Sequence, residues 1–391
     1  MKLLRTLSTS RLLMLIVAVV ALAAGGAAIA VAASGGSGST PPPKPLAEAL
    51  HDSLAGQAPD GVTARIKFTN KLFPSGAITG QVGSALMSGA SGRLWATNDG
   101  RGRLELQSDA GDVQVVWSDT EVSIYDASSN TVYRATLPAD TKSSADQNGV
   151  PSVAKISDFL TKLGEHVSLS GAEPSNVAGQ EAYTVRVSPK HDGGLLGAAE
   201  LAFDSSRGVP LRLGIYAQGA STPVLELAAT DISYGPVPAS DVGVAPPAGA
   251  RTVDLGSLTR NSSESGGGQV HVSGLQAVQA AATFPVVAPD TLVGLPRQDV
   301  RLVGNSGSKA AVVVYGHGLG AIVVVERQAQ AGGGSTGAMG SLPEVSLNGV
   351  TAHELATQLG TVLTWKRGEV DYVLAGSVPP AAAEAAARAL G

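Results

Sequence analysis

The chain has 391 residues, enough for two or three domains at ~150 residues each. With 43% hydrophobic and 15% charged residues it can build a sizeable core, which excludes wholesale disorder. A net charge of -5 argues against nucleic-acid binding, and the absence of cysteine excludes disulfides, thiolate metal sites, iron–sulfur clusters, Cys nucleophiles and a lipid-modified N-terminal Cys.

In chain order, Lys2, Arg5 and Arg11 (residues 1–11, a cytoplasmic n-region) precede an uncharged apolar run from Leu12 to Ala33. At 1.5 Å per residue the run is ~33 Å long, enough for a ~30 Å hydrocarbon core. The basic residues put the N-terminus in the cytoplasm and the rest of the chain outside it. The run reads as a retained single-pass anchor. The alternative is a cleaved signal peptide, because Ala28-Ile29-Ala30 and Ala30-Val31-Ala32 satisfy the small-residue rule. On either reading the bulk is extracytoplasmic, at the cell membrane or secreted. Residues 34–45, Gly/Ser-rich and then Pro-rich, read as a tether.

A first helix carries Leu46, Leu50 and Leu54 on one face. Alternating strands follow, around 62–69, 103–107, 113–117, 122–125 and 131–136, with short polar turns between the later ones, the spacing of an antiparallel meander. Ser152 caps a predicted helix bearing Val153, Ile156, Phe159, Leu160 and Leu163, stopped by Gly164. Strands resume at 183–187, 199–203, 211–216 and 224–232. Two helices barely cover one long sheet of about ten strands, so a curved sheet wrapped around helices is the economical arrangement.

Residues 256–269 read as a linker. Beyond it, 270–391 predicts a smaller α+β domain. Ser273 caps a short helix with Leu275 and Val278. Residues 310–315 and 321–326 form a hairpin about Gly316-His317-Gly318-Leu319-Gly320. Thr351 and Glu354 form a capping box opening a helix with Leu355 and Leu359. Residues 361–366 and 370–375 make a second hairpin, and an Ala-rich helix over 379–390 closes the chain.

Motifs for chemistry fail in context. His353-Glu354 begins a zinc-protease pattern, but Thr357 stands where the second histidine belongs. The glycines at 316, 318 and 320 lead into a strand, whereas a dinucleotide loop must open a helix. Gly333-Gly334-Ser335-Thr336-Gly337 has the letters of a nucleophile elbow without its strand and helix. The six histidines include no i, i+4 pair, and Asp119, Glu121 and Asp126 sit at turns, where Asp serves the turn itself. No enzyme, metal site or cofactor is expected.

The segments Val177-Ala178-Gly179-Gln180-Glu181-Ala182-Tyr183-Thr184-Val185-Arg186-Val187, then Ala199 to Asp204, Val209-Pro210-Leu211-Arg212-Leu213 and Asp231-Ile232-Ser233-Tyr234-Gly235 resemble the LolA-like superfamily of exported proteins. That group includes the lipoprotein carrier LolA, the N-terminal domain of the sigma-factor regulator RseB, and mycobacterial lipid carriers. The resemblance covers about 46–255. Residues 270–391, through Leu347-Asn348-Gly349-Val350, Thr364-Trp365 and Tyr372, look like a small domain of unknown function appended to such proteins.

The resemblance implies an α+β fold: a curved antiparallel half-barrel closed by helices over an apolar cavity, here followed by the smaller α+β domain and preceded by the transmembrane helix. The expected ligands are lipid or lipoprotein acyl chains. Cavity candidates are Ile66, Phe68, Leu104, Leu106, Val115 and Trp117 from the strands, with Phe159, Leu160 and Leu163 from the lid helix. The alternative is an RseB-like regulator that binds an anti-sigma factor or another envelope protein.

Overall fold

The computed structural model of the chain describes residues 38–72, 85–136, 150–191, 193–254, 272–305, 308–329 and 342–390. The n-region 1–11, the apolar run 12–33, the 256–269 linker and the loop at 333–337 lie outside the described residues. Among the described residues, no helix is long and apolar enough to cross a membrane. Backbone contacts divide the chain into two compact units, one spanning most of residues 38–254 and one built on 272–390 together with 191–196. The architecture is a strand-rich α+β fold with one large sheet in each unit and few helices.

The first unit begins with α1 (Leu46–Ala55) and β1 (Gly61–Asn70), then a single turn, α2 (Ala85–Ser88). An antiparallel meander follows: β2 (Ala90–Thr97), β3 (Gly102–Ser108), β4 (Gly111–Trp117), β5 (Glu121–Asp126) and β6 (Thr131–Thr136). Helix α3 (Val153–Leu163) interrupts the strands before β7 (Val167–Leu169), β8 (Glu173–Val177), β9 (Gln180–Pro189), β10 (Leu196–Asp204), β11 (Pro210–Ala217) and β12 (Leu225–Tyr234). The turn α4 (Ala239–Val242) and β13 (Arg251–Asp254) complete the unit. The sheet has 13 strands in the order β13-β6-β5-β4-β3-β2-β1-β12-β11-β10-β9-β7, with β8 beside β9; it ends at β13 and β7 and is not a closed barrel.

Local chemistry explains these elements. Ser152 caps α3 by accepting the Lys155 N–H at 3.4 Å, and Gly164 ends it in right-handed rather than left-handed backbone (φ -62°). Strand β2 escaped the sequence reading because Gly92 sits in its middle and reads as a breaker. In the sheet a Cβ at Gly92 would lie 1.7 Å from the Glu105 carbonyl oxygen, so the residue is there for close strand approach. The β8–β9 turn, Ala178-Gly179, has both residues at positive φ (53° and 79°), as a two-residue hairpin turn requires. Within residues 34–45, Tyr183 Oη donates to the Pro42 carbonyl at 2.7 Å and Asn176 Nδ2 to that of Ser39 at 2.8 Å.

The second unit contains β14 (Val272–Ser273), α5 (Leu275–Ala281), β15 (Thr291–Leu292), β16 (Leu295–Asn305), β17 (Ser308–Tyr315), β18 (Ile322–Gln328), β19 (Glu344–Leu347), β20 (Val350–Thr357), β21 (Gly360–Arg367), β22 (Val370–Gly376) and α6 (Pro380–Ala389). Its sheet runs β14-β16-β17-β18-β22-β21-β20-β19, with β15 beside β16. Helices α5 and α6 pack on one face, where Val278, Ala383 and Ala386 meet Leu302, Ile322, Val324, Leu363 and Leu374 at 0% exposure.

Two sequence expectations fail in this unit. Thr351 and Glu354 do not open a helix, because 350–357 is strand β20. The turn before it, Asn348-Gly349 (φ 51° and 85°), pairs Leu347 with Val350 and commits the next residues to the ladder, overriding a local cap signal. Ser273 is likewise not a cap. Its backbone pairs with Arg301 in β16, and Gly274 (φ 91°) takes the N-cap position of α5 without a side-chain hydrogen bond. Strand β16 was missed because Pro296 and its charged residues hide its alternation.

Candidate functional site

One face of the first sheet carries an apolar row across six strands. Ala64 pairs with Leu94, Leu94 with Leu104, Leu104 with Val115, Val115 with Ile124, and Ile124 with Tyr133. Directly opposed residues project from the same face, so the row is continuous. A parallel row runs Val62, Ala96, Gly102, Trp117, Val122. Trp117 packs over Gly102, where a Cβ would come 2.0 Å from the indole ring.

Burial is uneven along these rows. Ile66, Phe68, Leu106, Val115 and Trp117 are 2–5% exposed and Leu104 9%, forming one cluster that Ala85 and Leu86 of α2 join. Toward β5 and β6, Val122, Ile124 and Tyr133 are only half-buried. The strand candidates from the sequence therefore come together. Phe159, Leu160 and Leu163 do not join that cluster; they are half-buried on α3, which packs against α1. His51 Nδ1 of α1 lies 2.9 Å from the Pro151 carbonyl just before α3. Helix α1 in turn meets Tyr183, Val185 and Phe203 of β9 and β10 through Leu46, Ala49 and Leu50.

Sequence reasoning missed Leu94, Val122 and Ile124 as members of the face. Leu94 went unseen with β2, whereas Val122 and Ile124 were legible, since they alternate with Ser123 in a recognised strand.

Alternation puts a charged network on the other side of β9–β12, opposite Val185, Leu201, Leu213 and Leu225. Glu200 is its hub: Oε1 accepts from Arg186 Nη1 at 2.7 Å, and Oε2 from Arg212 Nη2 at 2.5 Å and Tyr216 Oη at 2.7 Å. Burial pulls the Glu200 carboxyl upward, but the Tyr216 and Arg186 hydrogen bonds and the Arg212 charge outweigh it and hold the group below its ordinary value. The Arg186 guanidinium also lies 4.3 Å over the Tyr216 ring. Glu226 is buried 3.5 Å from Arg212 Nε, and burial pushes its carboxyl up to about 7 against the pull of that cation. The network ties four strands together: Glu200 is matched to two cations and a hydroxyl, whereas Glu226 has only the 3.5 Å ion pair with Arg212 and no hydrogen bond to either oxygen among the described residues.

A separate cleft of about 410 Å³ is lined by Gln57, Asp60, Ser206, Arg207 and Tyr234, among others. Tyr234 Oη donates to Asp204 Oδ2 at 2.7 Å, and burial together with that bond pushes the phenol well above its ordinary value. This lining is polar and does not suit an acyl chain. Among the described residues, no group of three His, Asp or Glu side chains could hold a metal ion.

No family model matches the chain, and no curated protein matches it significantly. Solved structures do. MucB in complex with the periplasmic part of MucA is similar at 17% identity and a TM-score of 0.41, covering 88% of this chain and 94% of that one. The MucA/MucB complex of Pseudomonas aeruginosa is similar at 18% identity and a TM-score of 0.42, with the same coverage. A putative outer membrane lipoprotein-sorting protein domain from Vibrio parahaemolyticus is similar at 10% identity and a TM-score of 0.24, covering 51% of this chain and 96% of that one. The solved structures similar to this chain thus include MucB and a lipoprotein-sorting protein domain.

Proposed function

We propose that the chain is a membrane-anchored extracytoplasmic protein whose first sheet works as a LolA-like half-barrel, holding acyl chains of a lipid or lipoprotein. It is a non-catalytic carrier or relay. The observation that supports this reading is the apolar row from Ala64 to Tyr133, which is buried at Ala64, Leu104 and Val115, half-buried at Leu94, and half-buried again where it runs out through Ile124 and Tyr133 on β5 and β6. An acyl chain laid along Val122, Ile124 and Tyr133 would complete the burial that the protein leaves unfinished. At ~25 cal/mol per Å², covering about 300 Å² of apolar surface yields roughly 7 kcal/mol gross, enough to retain a lipid. The half-buried Phe159, Leu160 and Leu163 give α3 an apolar face with which to follow the ligand as a lid.

The test is photo-crosslinking with a phospholipid carrying a diazirine in its acyl chain. Crosslinks should map to the peptides of β5, β6 and α3. Labelling spread evenly over the surface, or absent from these peptides, would refute the site.

A second reading, a regulator that binds an anti-sigma factor or another envelope protein, draws on the second unit. Val312, Val314, Val323, Val325 and Val373 stay half-buried on the sheet face opposite α5 and α6. Affinity capture from membranes favours this reading if one transmembrane partner dominates and is lost with Val325→Asp. Capture of no enriched partner dismisses it.

A further inference from the structure

The second unit places an apolar side chain where its own backbone argues against one. The β15–β16 turn is Val293-Gly294, with φ 46° and 83°, joining the paired residues Leu292 and Leu295. Left-handed backbone is costly for a β-branched residue and cheap for Asn. The β19–β20 turn of the same unit uses the expected pair, Asn348-Gly349. Val293 nonetheless occupies this position and is 44% exposed. A strained residue that packs little is a pointer to function.

The neighbouring tip repeats the feature. In Gly316-His317-Gly318-Leu319-Gly320, between β17 and β18, Leu319 is 56% exposed. The two tips lie at the same end of the sheet. Arg297 pairs with Tyr315, and the Gly316 N–H donates to the Pro296 carbonyl at 2.9 Å. Among the described residues the exposed large hydrophobics are Val150, Val293 and Leu319, so two of them share this end, which is more than single scatter. The turns Val293-Gly294 and Gly316 to Gly320 contain no Asp, Glu, Lys or Arg; beside them Arg297 pairs with the exposed Asp290 at 2.7 Å.

We propose that this end of the second sheet docks on a lipid bilayer, with Val293 and Leu319 inserted at the boundary between headgroups and acyl chains. Small aliphatic tips without fixed charge suit that boundary, because their transfer is favourable and no ion is desolvated. The inference rests on the reading above in one respect, that the apolar run 12–33 keeps the chain at a membrane.

The test uses the full chain in vesicles of phosphatidylethanolamine and phosphatidylglycerol containing a nitroxide-labelled phosphatidylcholine. Because the chain has no cysteine, Leu319→Cys and Val293→Cys each give a unique thiol for an environment-sensitive fluorophore, and Ser129→Cys in the exposed β5–β6 turn is the control. Both tip probes should be quenched by the nitroxide several-fold more than the control. Val293→Asn should reduce quenching at 319 while leaving the melting temperature equal or higher, since Asn relieves the backbone. Vesicles that carry the chain but leave both tip probes at the control level overturn the docking alone. A chain that fails to float with the vesicles overturns both the docking and the membrane-bound reading.

Discussion

The two sheets of this protein bury their apolar faces to different degrees. In the second unit, Leu292, Leu302, Ile322, Val324, Leu363 and Leu374 are all at 0% exposure, sealed by α5 and α6 of the same unit. In the first unit the side chains of the corresponding cluster larger than alanine are at 2–9%, and its rows run out through half-buried Val122, Ile124 and Tyr133. A sealed core stabilises its own fold; an unfinished one retains apolar surface that something else can cover. On the proposed function, the second sheet serves stability and the first offers its unfinished face to a ligand.

Mutations can break or sharpen the contrast. The largest effect belongs to the sealed core: Leu374→Ala should destabilise the second unit by about 3 kcal/mol or more, read by chemical denaturation, because tight packing cannot collapse around the cavity. Lipid content of the first unit should not change. A loss below about 1 kcal/mol would mean that the second core is not sealed.

Next comes Glu326, buried at 0% exposure in that core, where Oε2 accepts the Val287 N–H at 2.9 Å and Oε1 meets no donor among the described residues. Burial pushes its carboxyl up to about 7 from 4.5. The folded state therefore holds a proton that the unfolded chain releases, so stability falls as pH rises from about 4.5 to about 7 and then levels. Glu326→Gln should remove that part of the slope and stabilise the protein by roughly 2–3 kcal/mol at pH 8, with little change at pH 4. An unchanged pH profile would contradict the assignment.

The open sheet behaves in the opposite way. Ile124→Asn should lower acyl-chain retention about tenfold, equivalent to ~1.4 kcal/mol, while moving the melting temperature only slightly. A large stability loss with lipid retained would make Ile124 an ordinary core residue. The smallest effect is Ser152→Ala, which removes the cap of α3 and should cost about 0.5–1 kcal/mol of local stability, read by hydrogen exchange over 153–163.

The meander was legible because its strands alternate cleanly: Ile66 and Phe68, Leu104 and Leu106, and Val115 and Trp117 all reach one face as their spacing predicts. Helix α1 was legible through its i, i+4 leucines, and α3 through the apolar stripe from Val153 to Leu163 and the Ser152 cap. Strand β2 and residue Leu94 were not, because Gly92 owes its place to the crowding of β3, a contact that local sequence does not contain. Nor was strand β20, where the Asn348-Gly349 turn outweighs a cap signal three residues later. The lid residues were chosen by helix periodicity, which identifies an apolar face but not what it meets, and Phe159 lies outside the strand cluster for that reason.

The most direct test of the central claim is native mass spectrometry of residues 38–391 purified without detergent, followed by extraction and lipid identification. The account predicts a discrete added mass that extraction turns into a lipid and that Ile124→Asn diminishes. A bare protein mass, with no uptake of offered phospholipid or acylated peptide, would contradict it.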